Sequence, residues 1–146
     1  MNLPDPIVTD EFEARIDAES TIMTVTYRCT LSPELTTGFY KWMMGVAQDY
    51  PELVTATRGS IFDFRQVTEF VSSNLSTVRR ESKKAGQDRD LQNHPVALVV
   101  ETLMQEKMVG LTMKLTEGQN RKRIVRSMDE AQGFISKWHA ERETAE

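Results

Sequence analysis

The chain has 146 residues, of which 39% are hydrophobic and 27% charged, and carries a net charge of −4. That length can bury a core without disulfides or metals, and the balance is that of a globular chain rather than a disordered one. The acidic pI of about 5.3 argues against general attraction to nucleic acid, and the mean hydropathy of −0.46 argues against a membrane span.

Residues 1–9, with Pro4 and Pro6, read as a loose lead-in to a single domain over 10–140, with 141–146 as a solvated tail. FEARIDAES (12–20) alternates apolar and polar residues, and TIMTVTYRC (21–29) is rich in β-branched residues. Together they predict an antiparallel hairpin. In LSPELTTGFYKWMMGVAQDYP, Ser32 suits an N-cap and Pro33 the first helical position. Leu35, Phe39, Trp42, Met43 and Val46 give that helix one apolar side, and Pro51 is expected to end it. RGSIFDFRQV (58–67) reads as a strand with Asp63 and Arg65 on one side and Phe62 and Phe64 on the other.

Beyond Ser72 and Ser73, a helix is predicted with Val71, Leu75, Val78, Ser82 and Ala85 in one stripe and Gly86 at its end. HPVALVVE (94–101) is a continuous apolar run, the mark of a strand covered on both sides. LMQEKMVGLTMKLTEG predicts a helix with Met104, Met108, Leu111 and Leu115 aligned inward and Gly118 past its end. RKRIVRS (121–127) reads as a short strand. Ser127 and Glu130 have the spacing of a capping box that opens a last helix packed through Ala131, Phe134, Ile135 and Trp138. The order is β-β-α-β-α-β-α-β-α. Strands alternating with single helices imply a mainly parallel, mixed α/β sheet of about five strands carrying four helices.

One cysteine, Cys29, and two histidines, His94 and His139, supply neither a bridge nor ordinary zinc spacing. No metal and no cofactor are expected. The start, MNLPDPIVTDEFE, lacks a charged-then-apolar leader pattern, which together with the lone thiol suits the cytoplasm. No G-x-S-x-G, P-loop or G-x-G-x-x-G pattern occurs, and Cys29 has no histidine partner by position, so an enzyme is not expected. The basic runs RRESKK (79–84) and RKR (121–123) read as solvated sides of a helix and a strand.

The string VTEFVSSNLSTV (67–78), preceded by IFDF, resembles the VTFIDSSGLGVL-type loop of STAS domains, named for sulfate transporters and anti-sigma-factor antagonists. The element order also resembles the SpoIIAA-like fold, shared with the CRAL-TRIO lipid-binding domains. HPVALVVE, VGLTMKL, RIVRS and SMDEAQGFI are similar to an uncharacterised bacterial branch of that superfamily, so the resemblance spans roughly residues 12–139. In the antagonist proteins the serine after the loop aspartate is phosphorylated by a partner kinase, which releases the partner. The resemblance puts Ser72 at that serine, with Val71 in the aspartate's place and Asn74 and Ser76 in place of the glycines.

Two readings of the serines follow. One of Ser72 and Ser73 caps the helix, or Ser72, Ser73, Asn74, Leu75 and Arg79 form a partner- or anion-binding loop, favoured by the dipole at a helix start. Asp63, Arg65 and Glu101 sit toward the carboxyl ends of strands, where open α/β sheets bind ligands. They are ligand-site candidates together with Met108, although an internal ion pair is the commoner use of such a pair. The reading that results is a non-catalytic STAS-like regulatory module that binds a protein partner. The alternative is a carrier of a small apolar molecule or lipid, with a pocket between Met-bearing helices and the sheet. A hairpin edge open to pairing would also suit a homodimer.

Overall fold

The computed structural model describes residues 3–86, 93–114, 116 and 119–145. Six strands form one sheet in chain order: β1 (Ile7–Val8), β2 (Phe12–Ile16), β3 (Ile22–Leu31), β4 (Gly59–Phe70), β5 (Val96–Val99) and β6 (Lys122–Val125). β1, β2 and β3 pair antiparallel, whereas β3 through β6 pair parallel. The helices are α1 (Pro33–Asp49), α2 (Pro51–Ala56), α3 (Asn74–Gly86), α4 (Leu103–Lys114) and α5 (Met128–Ala145). A mixed, mainly parallel α/β sheet is therefore present, with one strand and one helix more than anticipated.

The additions have local causes. Residues 7 and 8 of the expected lead-in pair with Ala14 and Glu13, so they cover part of the hairpin edge on which pairing between copies was to rest. Pro51 does stop α1, but its fixed φ and missing N–H also suit a first helical position, and it opens the short α2. β4 runs to Phe70 because β3 continues beside it, with Cys29, Thr30 and Leu31 opposite Val67, Glu69 and Phe70. Keeping that ladder aligned needs register shifts around Arg28 and Cys29, and Cys29 takes a left-handed φ of 60°. The segment expected as a solvated tail continues α5 as far as Ala145.

Helix starts follow the sequence closely. Ser32 accepts from the Leu35 amide (3.2 Å) with Pro33 behind it. Ser127 Oγ accepts from the Glu130 amide (3.1 Å), while the Glu130 carboxylate reaches back to the Arg126 amide (2.9 Å). Both sides of the sheet are covered. Ile61, Ala97, Val99 and Val125 pack against Ala131 and Ile135 of α5. On the other side Met23, Val25, Tyr27 and Phe64 pack with Leu35 and Phe39 of α1 and Val109 of α4. Gly59 is a close approach: a Cβ there would lie 3.0 Å from the Pro95 carbonyl oxygen and 3.1 Å from Ile135.

α4 does not bury the stripe expected of it. Leu103, Met104 and Leu111 are exposed and Met108 is half-buried, while Gln105 and Val109 face inward. Leu115 and Gly118 lie outside the described residues. Gln105 explains the rotation. Its Oε1 accepts from the amides of Glu101 (2.7 Å) and Thr102 (3.1 Å), and its Nε2 donates to the carbonyls of Arg65 (3.1 Å) and Val67 (3.0 Å). Four backbone groups at the end of β5 and in β4 are satisfied by one buried amide, which outweighs burying Met104 instead. α3 likewise buries Asn74 and Thr77 along with Ala85, leaving Leu75 and Val78 only partly covered.

Candidate functional site

The serine loop shrinks to residues 71–73 once β4 has run to Phe70. The Val71 amide donates to the Leu31 carbonyl (3.1 Å), anchoring the loop to the end of β3. The carbonyls of Val71 and Ser72 then accept from the amides of Asn74 (3.0 Å) and Leu75 (3.2 Å). Ser72 and Ser73 are both exposed, and neither hydroxyl makes a hydrogen bond among the described residues. The capping reading is thus corrected: turn carbonyls, not serine side chains, take up the first amides of α3. Only the Ser73 carbonyl is used by side chains, accepting from Ser76 Oγ (3.0 Å). Arg79 is exposed and Leu75 half-buried, whereas Asn74 points inward at 4% exposure, so the five loop candidates do not share one surface.

Asp63 and Arg65 pair with each other. The buried Asp63 carboxylate accepts from Arg65 Nε and Nη2 (both 3.0 Å) and from the Arg65 amide (3.0 Å). That hydrogen bonding, with the Glu101 carboxylate adding a smaller attraction, holds the Arg65 guanidinium more firmly protonated than usual. The pair is therefore committed within its own strand. It also lies well short of the strand end: the five residues from Arg65 to Phe70 span about 17 Å. Arg65 is thus not placed beside the serines. Glu101 is exposed beyond β5, its amide held by Gln105 and its carbonyl by Arg126 (3.1 Å). Met108 does not line the cavity between the sheet and the helices.

A cavity of about 220 Å³ does exist, between the sheet and helices α1, α3 and α4. Its walls are mostly apolar, including Met23, Met43 and Met113 with Phe39, Phe62 and Phe64. Tyr27, Phe39, Phe62 and Phe64 stack on one another there, with ring centroids 5.3 to 6.3 Å apart. Polar groups gather where β4, β5 and β6 begin. The Ser60 hydroxyl and His94 Nε2 share a hydrogen bond of 2.7 Å, and Arg121 Nη1 donates to the His94 carbonyl (3.0 Å). Lys122 Nζ donates to Thr116 Oγ1, and Tyr40 bonds Ser82 through its hydroxyl.

Burial sets the charge states here. It pushes the His94 imidazole down to about 4, helped by the nearby Arg121 cation, so His94 is neutral near pH 7. Burial raises the Tyr40 phenol to about 12, against the opposing hydrogen bond from Ser82. Burial also lowers Arg121, with Tyr40 opposing it. Among the described residues no carboxylate pairs with Arg121 or with His94. An imidazole this weakly basic, with no acid to orient it, is a poor partner for a serine nucleophile. At the other end of the cavity Asn74 Oδ1 is buried without a hydrogen-bond donor.

Sequence reasoning missed Ser60, His94, Tyr40 and Arg121, which come from four separated segments. Arg121 had been grouped with a solvated basic run. Among the described residues, no three His, Cys, Asp or Glu side chains are placed to hold a metal, and no helix is long and apolar enough to cross a membrane.

No family model and no curated protein matches the sequence. Solved structures do match it. An anti-sigma factor antagonist from Mycobacterium paratuberculosis superposes with a TM-score of 0.58 at 12% identity, covering 88% of this chain and 97% of that one. A DUF3478 protein with a SpoIIAA-like fold from Shewanella loihica PV-4 gives 0.54 at 14% identity, over 92% and 98% of the two chains. The protein TM1081, solved by NMR, gives 0.55 at 15% identity, over 93% and 97%. The chain has the SpoIIAA-like fold that the loop resemblance implied.

Proposed function

We propose that this chain is a non-catalytic, STAS-like regulatory module of the bacterial cytoplasm that acts by binding a protein partner through residues 71–84. The observation that carries the reading is the pair of exposed serine hydroxyls, without a hydrogen bond among the described residues, at the entrance to α3. Beyond them the outward side of that helix presents Arg79, Arg80, Lys83 and Lys84, all exposed, in a chain whose net charge is negative. A local basic surface of this kind attracts an acidic partner surface and steers its approach. A matching fold in a protein named an anti-sigma factor antagonist supports the reading. Phosphorylation at Ser72 would place two negative charges beside these cations and change what the surface attracts.

The test compares partners captured by the wild-type chain with those captured by Arg79→Glu, Leu75→Asp and, as control, Lys137→Glu on α5. Expected is a loss of at least tenfold in capture for the two α3 variants and none for the control. Equal recovery by all four proteins would remove this surface from consideration.

A further inference from the structure

We infer that the cavity between the sheet and helices α1, α3 and α4 binds a small carboxylate with an apolar tail, its carboxylate held by Arg121. The site is internal, so it goes beyond the docking reading and stands or falls apart from it.

The charge comes first. Arg121 lines the cavity half-buried, and among the described residues its hydrogen bond goes to a neutral carbonyl. A guanidinium carries five donors, and a cation drawn out of water is normally paired. Among the described residues nothing anionic meets it. Its planar fork fits the two oxygens of a carboxylate. The hydroxyls of Ser60 and Tyr40 line the same cavity and offer further polar contact. A neutral alcohol would leave the arginine unexplained.

The second observation is independent. Asn74, 4% exposed, lines the cavity with an Oδ1 that no group among the described residues satisfies. The protein does not close this space on its own polar groups. Size then limits the tail. A volume of about 220 Å³ is below the roughly 300–1,000 Å³ of drug-sized ligand pockets, so a long-chain lipid does not fit inside. The four residues from Ser60 to Phe64, which both line it, span about 13 Å, room for a short to medium chain. Met23, Met43 and Met113 provide adaptable thioether walls for such a tail.

The experiment uses the full chain labelled with 13C at the methionine methyls, titrated with octanoate, 1-octanol and octylamine. Met23, Met43 and Met113 line the cavity, while Met104, Met108 and Met128 do not. Expected is a saturable shift of the first three methyls with octanoate and no shift of the others. Octanoate should bind at least tenfold more tightly than octanol or octylamine, and Arg121→Gln should bring octanoate down to the octanol level. Absence of a saturable shift at the three lining methyls overturns the proposal, as does equal affinity for octanoate and octanol. Unchanged octanoate affinity in Arg121→Gln does the same. Should that variant fail to fold, the octanoate-to-octanol ratio of the wild type decides the question alone.

Discussion

The two sides of one sheet are packed by different rules. Against α5, Ile61, Ala97, Val99 and Val125 meet Ala131 and Ile135, each at most 6% exposed. Contact there is so close that Gly59 has no room for a Cβ without shifting the Pro95 carbonyl or Ile135. Against α1, α3 and α4, larger side chains pack into an aromatic group and yet leave a cavity flanked by Arg121, His94 and Asn74. Successive residues of the same strand serve both sides, Ile61 toward α5 and Phe62 toward the void. The same backbone frame supports dense packing, so the void belongs to the side chains and helices chosen for one side. That contrast is why the cavity is proposed as a site.

The contrast can be broken by adding volume to each side. Ala131→Leu should destabilise the fold by about 3 kcal/mol, because overpacking a filled core forces off-rotamer side chains and backbone shifts. Val109→Leu, which adds one methylene beside the cavity, should be neutral or slightly stabilising. Urea denaturation of both variants checks this, and equal losses would mean that the two sides are equally full.

A somewhat smaller effect should appear with pH. His94 titrates near 4 in the fold against about 6.5 when unfolded, so protons bind the unfolded chain preferentially in that window. The sign follows: this contribution is whole above pH 6.5 and is lost as pH falls toward 4. Between pH 7.5 and 5 the loss should be roughly 2 kcal/mol, and His94→Asn should lose correspondingly less over the same range. Parallel pH profiles for the two proteins would show that His94 is not withdrawn from water. The smallest effect concerns Asn74. Replacing it with leucine removes a buried acceptor that nothing satisfies and should stabilise the unliganded chain by about 1 kcal/mol, read as a rise in Tm. A drop in Tm would mean that the amide is satisfied in solution.

Much of the frame was legible because its signals are local. Ser32-Pro33 and Ser127-x-x-Glu130 mark helix starts through hydrogen bonds formed within four residues. The VALVV run marks a strand covered on both faces, since no polar residue interrupts it. α4 was legible as a helix but not in its orientation. LMQEKMVGLTMK is apolar most of the way around, so its period could not choose between burying Met104 and burying Gln105. Two of the four backbone groups that Gln105 satisfies, the carbonyls of Arg65 and Val67, lie 40 and 38 residues away, beyond any local window of sequence. The serine loop was found by resemblance, yet its extent was misjudged because β4 is lengthened by pairing with β3. The polar end of the cavity was missed for a related reason, since Tyr40, Ser60, His94 and Arg121 meet only when α1, β4 and the segments leading into β5 and β6 are brought together.

Taken alone, then, the order of residues determined where the helices and strands other than β1 and α2 begin, that most strands run parallel, and that Ser72 and Ser73 stand before a helix. Those features rest on periodicity, capping and proline geometry, which act over a turn or two of chain. Only the tertiary structure decided which side of α4 turns inward, that Asp63 is spent on Arg65, and that Arg121 is drawn in beside an apolar void. These outcomes depend on hydrogen bonds and burial between distant segments, whose energies come into being only when the sheet has assembled.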